Sequence, residues 1–304
     1  MNGILVVNKP KGPTSRDIVN IVSKKLNTKK VGHTGTLDPL ATGVLVVPVG
    51  NALKISELLT SEKKEYIAKV ILGYETDMLD ITGTETKRNK PNCSKKEIKE
   101  VLDNFIGKSK QEVPMYSAVK VDGKKLYEYA RNNIKITPPT KEIEVYNIEL
   151  IDEPLYLEDT IEFTIKCLVS KGTYIRSLIR DIGYKLGTYG TMKELKRTMQ
   201  GTFTIKDSYN IEDIESDNYK LLSIKEALPN IKITKVDDNL LKKIKNGQIL
   251  ESFFKEEISL IVDKNNKEIA IYKKIENNKV KPFKMIEVQK WVKLELWVNY
   301  YLIK

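Results

Sequence analysis

The chain has 304 residues, a formal net charge of +11, and 40% hydrophobic and 31% charged residues. That length suits one large domain plus one small one, with cores that need no disulfide or metal staple, and the composition excludes global disorder. The basic surplus points to a polyanionic partner, with a lysine-rich background proteome as the plain alternative.

Taken in chain order, residues 4–7 read as a buried strand closed by the turn Asn8-Lys9-Pro10-Lys11-Gly12-Pro13. Ser15 is placed to cap a helix carrying Ile18, Val19, Val22 and Leu26 on one face. Residues 43–49 form a second apolar run, and residues 66–72 a third strand that ends at Gly73. Ser94 and Glu97 make a capping-box pattern ahead of Ile98, Val101, Leu102 and Phe105. Residues 113–139 are basic, aromatic and rich in turn signals, as in an insertion lying on a scaffold. Ile161, Phe163, Ile165, Cys167 and Val169 alternate as a half-buried strand running into the turn Lys171-Gly172. A helix follows with Ile175, Leu178, Ile179, Ile182 and Leu186 inward and Gly187 as its stop. Strands and helices mix without regular βαβ alternation, which favours α+β. A boundary is expected near 229–234. Beyond it come a helix at 238–244 and short strands, including a hairpin that turns at Asn265-Asn266, which together make a small β domain.

Cys93 and Cys167 stand far apart in no C-x-x-C pattern, which fits reduced thiols in a cytoplasmic protein. The amino terminus shows no cleavage signal, and no apolar run approaches the ~18 residues of a membrane span.

Several chemistries lack material. His33 is the single histidine, so His-based zinc sites and triads have almost nothing to work with. No P-loop or G-x-G-x-x-G string provides a nucleotide cradle. Asp38, Asp77 and Asp80 would act as Mg²⁺ ligands, in the manner of a nuclease, only if three loops converged. A cofactor-free reaction using a carboxylate remains. Asp38 lies in the loop 32–43, where Gly32, Gly35 and Gly43 permit tight turns and Pro39 stiffens the presentation of its side chain. It fits a nucleophile or general base as well as it fits an Asp that caps a turn, and the residues leave both open. Arg176, near a helix start, would hold a carboxylate bidentately or stand as a solvated surface arginine. Tyr66 and Tyr174 would stack on an extruded base or pack half-buried. Lys9, Lys11, Arg16, Lys24, Lys25, Lys29 and Lys30 crowd the first thirty residues. The insertion interleaves Lys120, Lys124, Lys125 and Arg131 with Tyr116, Tyr127 and Tyr129. Cations beside aromatics are the footprint of looped RNA recognition, against the alternative of a solvated charged face or a binding module without catalysis.

The motifs together resemble the TruB-type tRNA pseudouridine synthases. N-K-P-K-G-P-T-S (8–15) is similar to the family's first motif, and G-H-T-G-T-L-D-P-L-A-T-G-V-L (32–45) to its catalytic loop. K-E-Y-I-A-K-V-I-L-G-Y-E-T-D-M-L-D (64–80) is similar to its tyrosine motif, and P-M-Y-S-A-V-K-V-D-G-K-K-L-Y-E-Y-A-R (114–131) to its tRNA-clamping insertion. S-K-G-T-Y-I-R-S-L-I-R-D-I-G (170–183) is similar to its arginine motif, and L-K-R-T-M-Q-G-T-F (195–203) to the segment after it. Val113-Pro114 stands where the family's clamp opens with two prolines, and residues 291–304 match no motif.

The resemblance implies an α+β pseudouridine synthase catalytic domain at 1–232, built on a central mixed, mainly antiparallel sheet, with the clamping insertion at 113–141. It implies a small PUA-like RNA-binding β domain at 233–304. The implied reaction is isomerisation of uridine to pseudouridine at position 55, in the T-arm loop of tRNA, by base flipping, glycosidic cleavage and rejoining through carbon. No cofactor, metal or obligatory protein partner is implied, and the chain is expected to act as a cytoplasmic monomer. Asp38 falls on the catalytic aspartate, Tyr66 on the tyrosine that stacks on the target base and is implicated in removing the C5 proton, and Arg176 on the arginine paired with the aspartate. Tyr174 and Leu195 fall on residues that line the uracil pocket and Asp80 on a pocket-side acid. His33 falls on a histidine that inserts among the loop nucleotides and helps extrude the base. Lys9, in the first motif, is counted with the substrate-binding residues.

Overall fold

The computed structural model describes residues 2–60 and 63–287, so the unmatched stretch 291–304 lies outside the described residues. The chain divides between Leu221 and Leu222 into two compact units.

In the first unit, strands form where branched and aromatic residues alternate or run together. β1 (Gly3–Lys9) and β2 (Thr42–Val49) are almost wholly buried, whereas β3 (Lys64–Leu72) alternates, with Lys64, Tyr66, Ala68 and Val70 turned inward. They are joined by β4 (Gly107–Glu112), β5 (Thr140–Leu150), β6 (Ile161–Val169) and β7 (Gly190–Gln200) in the order β1-β2-β7-β3-β6-β5-β4. β2 and β7 pair in parallel, and the other neighbours along this path are antiparallel, which gives the mixed, mainly antiparallel sheet expected from the motifs. The register sets Tyr66 of β3 opposite Cys167 of β6 on one side and Arg197 of β7 on the other. β7 slips register at Met192/Glu194 and again at Arg197/Met199, and such bulges re-aim the side chains beside them.

Three helices position the site. α1 (Ser15–Lys25) starts one residue earlier than the Ser15 cap would require, because Thr14 takes that role. Thr14 and Asp17 have the spacing of a reciprocal capping box: the Thr14 hydroxyl accepts from Asp17 N–H at 3.1 Å and the Asp17 carboxylate accepts from Thr14 N–H at 2.8 Å. Ser15 has Ile18 three residues on and cannot form that box. Its hydroxyl turns inward instead, donating to the Leu37 carbonyl at 3.0 Å and accepting from Leu37 N–H at 2.8 Å. α2 (Lys95–Asp103) carries the Ser94–Glu97 capping box and packs on β5. α3 (Ile175–Lys185) buries Ile175, Leu178, Ile179 and Ile182 against β7 and β3, and Gly187 ends the segment at φ +70°. Between β4 and β5 the insertion folds as a hairpin, Lys120–Val121 with Lys124–Lys125, followed by a short helix, Leu126–Arg131.

In the second unit, after a short helix at Ile224–Ala227, β8 (Lys232–Lys235), β9 (Leu250–Glu251), β10 (Ile258–Val262), β11 (Glu268–Ile275) and β12 (Lys279–Met285) form a five-stranded sheet, β8-β10-β11-β12-β9, and α4 (Asp238–Lys245) packs on β11. The β10–β11 hairpin turns through Asn266 at φ +60°, as the Asn265-Asn266 signal predicts. Val236, Ile244, Ile261, Ile269, Tyr272 and Val280 make its core. No helix among the described residues is long and apolar enough to cross a membrane.

Candidate active site

The loop before β2 is held from beneath. Gly12 N–H donates to the Pro39 carbonyl at 2.9 Å, Ser15 holds Leu37, and Ala41 N–H closes a turn onto the Asp38 carbonyl at 3.0 Å. Lys9 is fully buried, and its ammonium donates to the carbonyls of Pro10 at 2.8 Å, Ala41 at 2.7 Å and Pro39 at 3.4 Å. Its ammonium is thus turned inward, to the backbone that presents Asp38.

Arg176, the second residue of α3, is the hub of the site. Its position is fixed by β4, where Gln111 accepts from Tyr174 N–H at 2.8 Å and donates to the Tyr174 carbonyl at 3.1 Å. It is only 6% exposed, so the surface-arginine alternative falls away. Nη2 lies 2.9 Å from Asp38 Oδ2 and donates to the Tyr116 carbonyl at 3.0 Å. Nη1 donates to the Met78 carbonyl at 3.0 Å and stands 3.9 Å from Asp80 Oδ2. One guanidinium thus joins the Asp38 loop, the turn after β3 and the root of the insertion. Asp38 keeps 38% of its side chain exposed, so its carboxylate is held and still reachable.

The Asp38 side chain opens into a cavity of about 300 Å³. Tyr66 of β3 and Leu195 of β7 form part of its wall, joined by Tyr174 and Arg176 from the turn into α3 and by Ser117 of the insertion. Burial pushes the Tyr174 hydroxyl up from its ordinary value, which keeps it a neutral phenol. Lys64, Lys171, Arg176 and Arg197 line the same space against the Asp38 carboxylate, so the cavity is strongly cationic. Small ligand pockets of this size enclose a single group rather than a duplex.

Five of the residues singled out from sequence, Asp38, Tyr66, Tyr174, Arg176 and Leu195, meet on this cavity. Asp80 sits behind Arg176, with its carboxylate accepting from Thr82 N–H at 2.9 Å. His33 is half-buried beside β2, off the cavity wall, and its Nδ1 has no hydrogen-bond partner. Burial first, then the charges of Arg16 and Arg197, push its pKa down, so it is a neutral imidazole. Asp77 is turned to Thr84 N–H at 2.8 Å and the Tyr116 hydroxyl at 3.3 Å, and no group of three His, Cys, Asp or Glu side chains gathers as a metal site among the described residues. The nuclease arrangement of Asp38, Asp77 and Asp80 is therefore not assembled. The sequence reading gave no role to Arg197, which is fully buried on the cavity wall, or to Lys64.

Burial of Lys9 has a consequence for pH. It pulls the ammonium down from its ordinary 10.5 to about 8, Asp38 opposing the shift and Arg197 adding to it. Between those values the unfolded chain holds a proton that the folded chain has released, so Lys9 adds stability as pH rises through this window. Denaturant melts of wild type and Lys9→Met should show a stability difference that grows in favour of wild type between about pH 8 and pH 10. A difference that stays flat or shrinks there would contradict the burial.

Comparison with known proteins bears on this geometry. The model of the TruB family pseudouridylate synthase N-terminal domain matches residues 23–175, and that of the tRNA pseudouridylate synthase B C-terminal domain matches residues 176–230. The chain is 39% identical over 306 residues to a tRNA pseudouridine synthase B of Bacillus pumilus, covering 95% of this chain and 99% of the relative. It is 43% identical over 286 residues to a tRNA pseudouridine synthase B of Staphylococcus saprophyticus, covering 89% and 94%. Its fold is similar to a chain in an H/ACA ribonucleoprotein bound to a substrate RNA containing 2'-deoxyuridine, with a TM-score of 0.68 at 23% identity, covering 95% of this chain and 86% of that one.

Proposed function

Because the chain belongs to the TruB family of pseudouridylate synthases, we propose that it converts uridine to pseudouridine in tRNA, at position 55 of the T-arm loop. The observation that carries this reading is the Arg176–Asp38 pair at 2.9 Å on a cationic cavity of about 300 Å³ that also presents Tyr66.

The reaction is an isomerisation. The bond between N1 and the ribose C1' breaks, the uracil turns, C5 bonds to C1', the C5 proton leaves and N1 takes one up. Nothing is oxidised or reduced, so the atoms of the substrate suffice. A base inside a stem or folded loop cannot reach the cavity, and the target nucleotide must be flipped in. Asp38 supplies the carboxylate, aimed by Arg176, whose guanidinium also donates to the Met78 and Tyr116 carbonyls. Tyr66 offers a ring face for the extruded uracil and is the group assigned to the C5 proton. Leu195 and Tyr174 close the walls around the base. Asp80, 3.9 Å behind Arg176, fixes the guanidinium from its far side.

RNA reaches the site along basic surfaces. The insertion at 113–141 clamps the T-arm, and the second unit, read as a PUA-like module, adds a further RNA contact. The chain acts as a monomer in the cytoplasm in this reading. Because phosphate contacts dominate such binding, tRNA affinity should fall about 10- to 100-fold between roughly 50 and 200 mM salt. An affinity that is flat over that range, by filter binding or anisotropy, would contradict it. The activity is tested by incubating an unmodified tRNA transcript with the full chain and mapping pseudouridine.

A further inference from the structure

Arg197 is a buried cation to which the reaction above gives no work. It projects from β7, is 0% exposed, and faces the catalytic cavity without an ion-pair partner among the described residues. Withdrawing a guanidinium from water without a carboxylate is costly, so the bonds it makes indicate what is gained. Nε donates to the Val44 carbonyl at 2.7 Å, and Nη2 donates to the Gly35 carbonyl at 2.8 Å. Those carbonyls flank residues 36–43, and Asp38 lies between them. One planar side chain therefore spans the entry and the exit of the loop that presents the carboxylate.

The backbone at both ends is shaped to this side chain. At the exit, Gly43 pairs with Arg197 in the parallel β2–β7 contact at φ +98°, and a Cβ there would come 2.2 Å from the Arg197 carbonyl oxygen. At the entry, Gly35 has φ +78°, and a Cβ would meet Arg197 Nη1 and Gln200 Oε1 at 3.2 Å each. Gln200, also on β7 and 1% exposed, donates to the Thr34 hydroxyl at 2.8 Å and the Leu59 carbonyl at 3.2 Å, so it grips the chain just before the loop.

We propose that Arg197 is the positioning residue of Asp38. Arg176 holds the carboxylate, and Arg197 holds the loop backbone, fixing the separation of the Gly35 and Val44 carbonyls and so the place where Asp38 meets its substrate. The planar fork is what the task requires, because a lysine ammonium in the same place is a single point donor and cannot reproduce two fixed directions. The inference rests on the isomerase reading, and the loop itself supplies a readout that does not depend on activity.

The test uses Arg197→Lys and Arg197→Met in the full chain. Two measurements are made: steady-state turnover of a T-arm tRNA, and hydrogen exchange of the loop amides. Both variants are expected to lose about 100-fold in kcat with KM for tRNA within about twofold, since misplacement of a reacting group by an ångström carries a penalty of that size. The Leu37 and Ala41 amides should exchange faster while β3 and β6 stay protected. Lysine is expected not to rescue. Should Arg197→Met fail to fold, Gly35→Ala disturbs the same anchor through the loop entry and should show the same split between kcat and KM. Unchanged loop exchange, or kcat within about threefold of wild type in soluble variants, would overturn the positioning role. A wild-type chain that makes no pseudouridine would sink the isomerase reading instead, and the exchange data would still decide whether Arg197 fixes the loop.

Discussion

Replacing Asp38 with Asn is expected to cut turnover by about 10⁴-fold or more while leaving tRNA affinity within a few-fold. Asn has the same shape and keeps the turn onto Ala41 N–H, which uses the backbone carbonyl and not the side chain. What is lost is the charge. Arg176 then faces a neutral amide where it had a carboxylate at 2.9 Å, and only Asp80 at 3.9 Å remains to balance it. The fold should tolerate this, because Asp38 is 38% exposed and the Met78 and Tyr116 carbonyls still hold the guanidinium. Binding should tolerate it too, since the cations lining the cavity remain. Turnover within tenfold of wild type would remove Asp38 from the chemistry. Loss of binding together with turnover would make it a structural residue.

The largest expected effect on stability comes from Gly43→Ala. At φ +98° a side chain is strained whatever space it has, and here there is none, since the Cβ would lie 2.2 Å from the Arg197 carbonyl oxygen. That oxygen belongs to a strand in the middle of the sheet, so relief requires β2 and β7 to separate. Backbone strain of about 1–3 kcal/mol and overpacking of about 1–3 kcal/mol together suggest a loss of roughly 3 kcal/mol or more. For a unit of this size that lowers Tm by roughly 6 to 12 °C. A variant that melts within about 2 °C of wild type would show that the parallel contact is not as close as described.

Much of the fold was legible because its elements announce themselves locally. The alternation from Ile161 to Val169, the Ser94–Glu97 box and the Asn265-Asn266 turn each appear where the sequence places them. The miss at Ser15 was also local: two hydroxyl residues stand side by side, and only Thr14 has a carboxylate three positions on. The site was legible in a different way. Spacing alone left Arg176 as a surface arginine or a carboxylate partner, since Asp38 is far away in the chain and the fold brings them together. The family motifs named Asp38, Tyr66, Tyr174, Arg176 and Leu195 as a set, and the sheet register and the turn into α3 place all five on one cavity. Arg197 escaped notice because, between Lys196 and Thr198, it reads as one more solvated charge. It shares the buried face of β7 with Leu195, two residues back, and the fold shows that this face looks onto the cavity. The inward turn of Lys9 was hidden for a related reason: a lysine next to proline in a basic stretch gives no sign that its ammonium is capped by three carbonyls.

Position-resolved mapping decides whether this chain isomerises one uridine of the tRNA T-arm through Asp38. An unmodified tRNA transcript is incubated with wild type or with Asp38→Asn, and pseudouridine, which has the mass of uridine, is read after carbodiimide labelling. One new pseudouridine at position 55 with wild type, and none with Asp38→Asn, is the predicted result. Pseudouridine only at other positions, none with wild type, or equal yields from both proteins would contradict it.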